Sequence, residues 1–284
     1  MKNKDFNSMT SKIVTDTYNK MDNYFINQVS EKKLAVVYFS SNGIYYPNEY
    51  DIFKEYIIEE NKFEWTKEGW KLEEAGLNIY IRDIYKQWYV NGINKDINSI
   101  DKLVDFINIL TKGYKVITVG SSAGGFIATL IGCKINAKYI FNFAGQFDLT
   151  FQSIYNDLLV DYLRKNTEYA NLKTIVENSK SKVFYFVGSN SFIDARDIQV
   201  AHSIRSNIYI FQFNQNIHGI PFILNACEEL IKKNEYELEQ LYLRYKGKII
   251  NRYIFEIYLI GLLDFIKIYM KKLKIKITGK NNGF

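Results

Sequence analysis

A serine stands at a sharp change of pattern within residues 115–133, KVITVGSSAGGFIATLIGC. The β-branched run 116–119 predicts a buried strand, and 126–133 predicts a helix of small and aliphatic residues. Between them, Ser122 occupies a glycine-rich turn. Such a turn lifts the hydroxyl above the sheet edge and aims the first N–H groups of the helix at the same point. These features predict a nucleophile for acyl transfer.

A serine hydroxyl is a weak nucleophile until a neutral imidazole takes its proton and a carboxylate orients that imidazole. The chain has only two histidines. We favour His218 as the base, because it falls in a loop between a predicted strand and a predicted helix, whereas His202 falls in helical patterning. For the acid we favour Asp194 over Asp197, because Asp194 lies nearer the end of the preceding predicted strand.

Glycines flank the serine two residues before and two residues after it, at Gly120 and Gly124. A side chain at either position would collide with the neighbouring strand or helix. Strand, G-x-S-x-G and helix together predict the nucleophile elbow of an α/β-hydrolase fold, and Ser, Asp, His is the chain order of that fold. No Lys-Ser or Lys-Thr follows Gly125, which excludes a P-loop, and the glycine spacing excludes a dinucleotide fingerprint.

Two backbone N–H groups are candidates for an oxyanion hole. One belongs to Ala123, directly after the serine. The other belongs to Ser41, in the small loop after the predicted strand 34–39, because that loop supplies the second donor in α/β-hydrolases. Asn42 in the same loop is a weak candidate for substrate contact. Trp88 and Tyr89 follow another strand end and could stack on a sugar; the alternative is that they pack their loop onto the core.

The composition excludes several classes of protein. Hydrophobic residues make up 47% of the 284 residues, so a sizeable core is available. The net charge is +6, but six lysines lie in the last 18 residues, where there is no acid. The rest of the chain is neutral, which argues against a nucleic-acid surface.

Two cysteines without metal-ligand spacing predict neither a metal site nor a disulfide framework, and such a chain fits a reducing cytoplasm. We expect no signal peptide and no membrane-spanning helix.

The remaining pattern predicts a mostly parallel sheet flanked by helices. Residues 1–234 are expected to form the α/β-hydrolase domain, with a β-hairpin within 1–32 and a small helical cap at about 149–180. Residues 235–284 are expected to form a C-terminal helical extension with a basic tail. Within it, 251–273 predicts one long helix with a wide apolar face. That face either packs on the domain or a second subunit, giving a homodimer, or lies on the inner membrane as a peripheral contact.

The segments GSSAGG after VITV, Asp83 with Trp88-Tyr89, and VGSNSFIDARD followed by a strand and NIHGIPFI carry a family resemblance. Across about residues 34–225, the chain resembles α/β-hydrolase-fold proteins of bacterial surface-polysaccharide loci. A capsule polysaccharide O-acetyltransferase of that group has a GSSKGG elbow, in which this sequence has Ala123 in place of lysine. The acid loop is longer here. The resemblance implies acetyl transfer from acetyl-CoA to a sugar hydroxyl through an acetyl-Ser122 intermediate, without a bound cofactor.

Residue types and spacing by themselves predict only a serine acyl-transfer enzyme; the resemblance implies a polysaccharide or sugar as its substrate. The leading interpretation is an O-acetyltransferase, and the first alternative is an esterase with the same triad. The two differ in whether a sugar hydroxyl or water accepts the acyl group. A non-catalytic binding member of the fold is the second alternative, against which the combination of Ser122, an acid and His218 weighs.

Overall fold

A single eight-stranded sheet forms the centre of the molecule. The computed structural model describes residues 6, 8–66, 72, 74–153 and 157–278. The strand order is β1-β3-β2-β4-β5-β6-β7-β8; β1 runs antiparallel to β3, and all the other neighbours are parallel. The strands are β1 (Tyr24–Gln28), β2 (Leu34–Phe39), β3 (Leu77–Ile81), β4 (Lys115–Ser121), β5 (Tyr139–Phe143), β6 (Lys182–Gly188), β7 (Ile208–Phe213) and β8 (Ile249–Ile250).

Helices cover both faces of this sheet. Each face of the sheet packs into its own apolar cluster, as alternate residues of β2 show. Ala35, Val37 and Phe39 belong to one cluster, and Val36 and Tyr38 belong to the other. The helices are α1 (Lys12–Lys20), α2 (Tyr50–Phe53, continued by a π-helix, Lys54–Glu59), α3 (Ile100–Leu110), α4 (Ala123–Lys134), α5 (Thr150–Ser153), α6 (Asp157–Lys165), α7 (Lys173–Asn178), α8 (Ala195–Ser203), α9 (Leu224–Ile231), α10 (Glu235–Tyr245), α11 (Arg252–Ile260) and α12 (Leu262–Thr278). Strands buried on both faces account for the continuous apolar runs in the sequence.

The predicted fold class is confirmed. A mostly parallel sheet carries helices on both faces, and its central strand β4 turns sharply into α4 at the serine. Strands alternate with helices from β4 to β7, as right-handed parallel connections require. This is the α/β-hydrolase fold.

The N-terminal hairpin prediction is wrong. Residues 12–20 form α1, and β1 pairs with β3, which is distant in sequence. The side chains that α1 buries are Val14, Thr17 and Tyr18, at helical spacing of three and four residues. The alternation of polar and apolar residues in this segment predicted strands, because a short polar–apolar pattern can fit both the helical period of 3.6 residues and the strand period of 2.

The segment 149–180 connects β5 to β6 and is helical, as predicted. Leu159, Tyr169, Leu172 and Val176 are buried in the cluster that also contains α3 and α4. Residues 154–156 of the predicted cap lie outside the described residues. The role of this segment as a cap stays a prediction.

The sheet continues into the predicted C-terminal extension. Strand β8 pairs with β7, and Phe255 of α11 is fully buried with its ring 5.0 Å from that of Phe213. The prediction of one helix over 251–273 is wrong, because Gly261 adopts φ 79° and ends α11. Glu256 of α11 is buried; it accepts hydrogen bonds from the Ile223 N–H and the Tyr269 hydroxyl. Within the described part of the chain, no helix combines the length and apolar character needed to cross a membrane.

Candidate active site

The turn between β4 and α4 holds its serine in a strained backbone conformation. Ser122 has φ 54° and ψ −124°, a region that residues with a side chain rarely occupy. A Cβ at Gly120 would lie 2.0 Å from the Gly124 carbonyl oxygen, and one at Gly124 would lie 2.3 Å from the Phe39 carbonyl oxygen. The predicted steric reason for both glycines is therefore confirmed.

Three side chains from separate parts of the chain form one hydrogen-bonded series. Ser122 Oγ lies 2.7 Å from His218 Nε2, and His218 Nδ1 lies 2.7 Å from Asp194 Oδ1. Ser122 follows β4, Asp194 precedes α8, and His218 lies in the loop between β7 and α9. Because these strands are parallel, their carboxyl ends meet at one edge of the sheet. A serine, an imidazole and a carboxylate in this order match the geometry of a charge-stabilised nucleophile.

The carboxylate of this series is deeply buried, whereas the imidazole is partly open to solvent. The Asp194 side chain is 1% exposed and that of His218 is 25% exposed. Asp194 Oδ2 has no hydrogen-bond partner among the described residues. The carboxylate of Asp194 is therefore hydrogen-bonded to the imidazole of His218.

Asp197 and His202, the alternatives to Asp194 and His218, make other contacts. Asp197 is 4% exposed, and its Oδ1 accepts hydrogen bonds from the N–H groups of Phe147 (2.6 Å) and Asp148 (3.2 Å). Burial raises the pKa of Asp197 to about 6, against the lowering effect of these two donors. His202 is exposed, and its Nε2 lies 3.2 Å from Gln212 Oε1. Asp197 thus fixes the loop after β5.

The two predicted oxyanion donors differ in what they contact. Ala123 is the first residue of α4, and its N–H donates to no acceptor among the described residues. The Ser41 N–H instead donates to Glu64 Oε2, and the Ser41 hydroxyl donates to Glu64 Oε1 at 2.9 Å. Glu64 is half-buried. In this structure the carboxylate of Glu64 takes the place at Ser41 where an oxyanion was expected.

The predicted aromatic contacts are only partly available to a ligand. Tyr89 is fully buried; its hydroxyl donates to the Ser40 carbonyl at 2.8 Å, and its ring packs edge-on against Phe39. Its prediction as a sugar-stacking residue is therefore wrong, because the hydroxyl has a partner inside the core. Trp88 and Asn42 are half-buried and remain candidates.

Sequence reasoning missed the groups that hold these loops. Gln146 is 3% exposed, and its Oε1 accepts the indole N–H of Trp88 at 3.0 Å. Asp83 accepts hydrogen bonds from four N–H groups of the loop that follows it, those of Tyr85, Lys86, Gln87 and Tyr89, at 2.7–3.1 Å. An aspartate at a strand end, followed by a loop, was the available signal for this role.

Comparison with known proteins gives a likeness in fold. No protein-family model matches the chain, and no curated protein matches it in sequence. Among solved structures it is similar to a mutant of the capsule O-acetyltransferase of Neisseria meningitidis serogroup A in complex with CoA, at 14% identity and a TM-score of 0.47, covering 80% of this chain and 91% of that one. It is also similar to a lipase-esterase related protein from Clostridium acetobutylicum, at 14% identity and a TM-score of 0.42, covering 80% and 100%. An acylaminoacyl peptidase of Pyrococcus horikoshii matches at 11% identity and a TM-score of 0.42, covering 69% and 35%.

Proposed function

We propose that this protein is a serine acyl-transfer enzyme. The observation that carries the proposal is the series from Ser122 Oγ through His218 to Asp194, with 2.7 Å at both steps. His218 Nε2 takes the serine proton as Oγ attacks the acyl carbonyl, and Asp194 stabilises the imidazolium that forms. The Ala123 N–H, together with that of Ser41 once Glu64 is displaced, donates to the oxyanion. His218 then protonates the leaving group, and an acyl-Ser122 ester remains.

The specific reaction we propose is O-acetyl transfer to a bacterial surface glycan. The donor is acetyl-CoA, whose C–S bond breaks as CoA leaves as the thiol. A sugar hydroxyl next gives its proton to His218 and attacks the ester, which frees Ser122. The resemblance of GSSAGG and the His-Gly loop to surface-polysaccharide proteins supports this choice. Trp88 and Asn42 are the proposed sugar contacts. A cytoplasmic location fits two buried, free cysteines.

Ester hydrolysis by the same groups is the second candidate. The His218 side chain is 25% exposed, so the imidazole that would activate a water molecule is partly open to solvent. Water would then attack the acyl-Ser122 ester in place of the sugar hydroxyl, and the acid would leave.

The decisive experiment is incubation of the full chain with acetyl-CoA and candidate glycans, followed by mass spectrometry of protein and glycan. We expect an acetyl adduct on Ser122 and its transfer to the glycan. Release of free acetate, with no acetylated glycan, would favour the esterase. Absence of the adduct, and of labelling by a fluorophosphonate probe, would support a non-catalytic member of the fold.

Substitutions separate the proposed triad from its neighbour. Ser122→Ala and His218→Ala should each lower turnover by on the order of a million-fold, because triad members act as a unit. Asp194→Asn should cost about 10⁴-fold, since the amide no longer fixes the imidazole tautomer. Asp197→Asn is the matched control and should retain turnover. A larger loss in Asp197→Asn than in Asp194→Asn would contradict our choice of acid.

A further inference from the structure

Helix α12 exposes a row of large apolar side chains. Leu262, Leu263, Ile266, Met270 and Leu273 are between 47% and 74% exposed. At about 100° per residue, all five fall within an arc of about 100° on the helix surface. The row extends along residues 262–273, the greater part of the helix. An apolar stripe of this width and length on a surface helix indicates a partner.

A different side of α12 contacts the rest of the protein. Phe265, Ile268 and Tyr269 are half-buried, and the rings of Phe265 and Tyr269 lie 6.2 Å and 5.7 Å from that of Tyr253 on α11. The Tyr269 hydroxyl also donates to the buried Glu256 at 2.7 Å. The helix is therefore held on the body in one rotational setting, and the apolar row faces away from it.

Lysines border the apolar row. Lys267, Lys271 and Lys274 continue the arc on one side at about 120–180°. They are exposed, and the sequence has no acid between residues 265 and 284. Asp264 is the one acid of α12, and it is paired with Lys267 at 2.9 Å. A second copy of this chain would bring the same lysines against these, so like charges would oppose a symmetric pairing of the two rows.

We propose that this face of α12 binds the surface of an anionic lipid bilayer. The helix lies in the plane of the interface, with Leu263, Met270 and their neighbours among the acyl chains and the lysines at the acidic headgroups. Apolar area and basic charge contribute separately to such binding, and both are present on one helix here. The proposal does not depend on the reaction at Ser122.

Vesicle flotation of the full chain tests this proposal. We expect flotation with vesicles of phosphatidylcholine and phosphatidylglycerol in equal parts, no flotation with phosphatidylcholine alone, and loss of binding as salt rises. The double variant Leu263→Gln/Met270→Gln should lose binding. Lys271→Gln/Lys274→Gln should weaken it by on the order of tenfold. Because all four side chains are exposed, these variants should keep the native circular dichroism.

Matched controls lie on α10 and in the turn after α3. Tyr236 and Leu243 are 70% and 63% exposed, and Lys112 is exposed. Tyr236→Gln/Leu243→Gln and Lys112→Gln should bind as the unchanged protein does. Failure of the unchanged protein to float with anionic vesicles at low salt overturns the proposal. So does a Leu263→Gln/Met270→Gln variant that floats normally but changes from dimer to monomer in light scattering.

Discussion

Ser41 gives both of its polar hydrogens to one carboxylate, that of Glu64. Ser41 lies two residues after Phe39, which pairs with Gly120, and Gly120 lies two residues before Ser122. The Ser41 N–H thus lies in the loop that follows β2, the strand next to the one that ends at the serine. A carboxylate on this N–H resembles an oxyanion in charge and in the donors it needs. An acyl oxygen that binds there must displace the Glu64 carboxylate, and the negative charge that develops on this oxygen is repelled by the negative charge of Glu64.

Glu64→Gln should therefore raise kcat/KM for acyl transfer by roughly tenfold, because a neutral amide holds the donors less strongly than a carboxylate does. Steady-state kinetics with a small activated ester would measure the change. Glu60→Gln, an exposed change on the same segment, is the control and should leave the rate unaltered. A fall in kcat/KM for Glu64→Gln would mean that the carboxylate supports the Ser41 loop.

Single residues were predictable where chemistry restricts the choice. Ser122 follows from its two glycines, and His218 follows from the scarcity of histidine together with a loop position. The contact of Glu64 with Ser41 joins two loops 23 residues apart, and no local pattern encodes it. The same holds for the burial of Tyr89, since a residue with φ 62° in a loop directs its side chain in a way that strand alternation does not predict.

At the scale of elements, apolar patterning predicted the mostly parallel sheet and α4. It failed where a short segment fits two periods, as in α1, and where one residue interrupts a continuous pattern. Gly261 lies within an apolar run that fits one long helix, and glycine in a helix is only mildly unfavourable. Gly261 nevertheless adopts φ 79° and ends α11, and beyond it the Tyr269 hydroxyl of α12 donates back to Glu256 of α11.

The elbow depends on close contact between α4 and β2, which a glycine substitution can test. Gly124→Ala places a methyl group 2.3 Å from the Phe39 carbonyl oxygen, so the strand or the helix must shift. We expect a loss of about 3 kcal/mol in the free energy of unfolding, at the upper end of overpacking effects, measured by urea denaturation.

Gly113→Ala is the control for backbone conformation alone. Gly113 has φ 85° and nothing within 4 Å of its Cβ position, so only the left-handed conformation is penalised. That should cost about 1 kcal/mol. Equal losses in the two variants would mean that the contact with Phe39 can relax.

At the scale of the whole molecule, several charged side chains are buried, among them Arg82, Asp83 and Asp197. Arg82 is fully buried, and among the described residues no carboxylate pairs with it; Asn23, Asn61 and the Lys62 carbonyl accept its hydrogen bonds. Burial lowers the pKa of Arg82 to about 10. Burial also raises the pKa of Asp83 to about 6, as it does for Asp197. Through its hydrogen bonds to Asn61 and the Lys62 carbonyl, Arg82 holds the segment that leads to Glu64 against the end of β3.

These raised pKa values predict an unusual dependence of stability on pH. Asp83 and Asp197 bind protons more tightly in the folded protein than in the unfolded chain, where the pKa is 3.8. The folded state therefore gains stability below pH 6 and loses it as pH rises through 6. Each carboxyl should contribute about 1 kcal/mol more at pH 5 than at pH 7.

Asp197→Asn isolates one of the two contributions, since the amide oxygen can still accept the Phe147 and Asp148 N–H groups. Urea denaturation of both proteins at pH 5 and 7 measures it. The unchanged protein should gain about 1 kcal/mol more on acidification than the variant does. Parallel pH dependences would show that Asp197 is ionised throughout this range in the folded state.

The backbone of Ser122 also bears on selection. A residue held at φ 54° and ψ −124° costs the folded state on the order of 1–3 kcal/mol. A domain of this kind is stable by only about 5–15 kcal/mol in total. Selection for stability alone would place glycine at this position, where the conformation is nearly free of strain. The serine thus costs folding stability and gains a hydroxyl held in one place, as a stability–activity trade-off predicts.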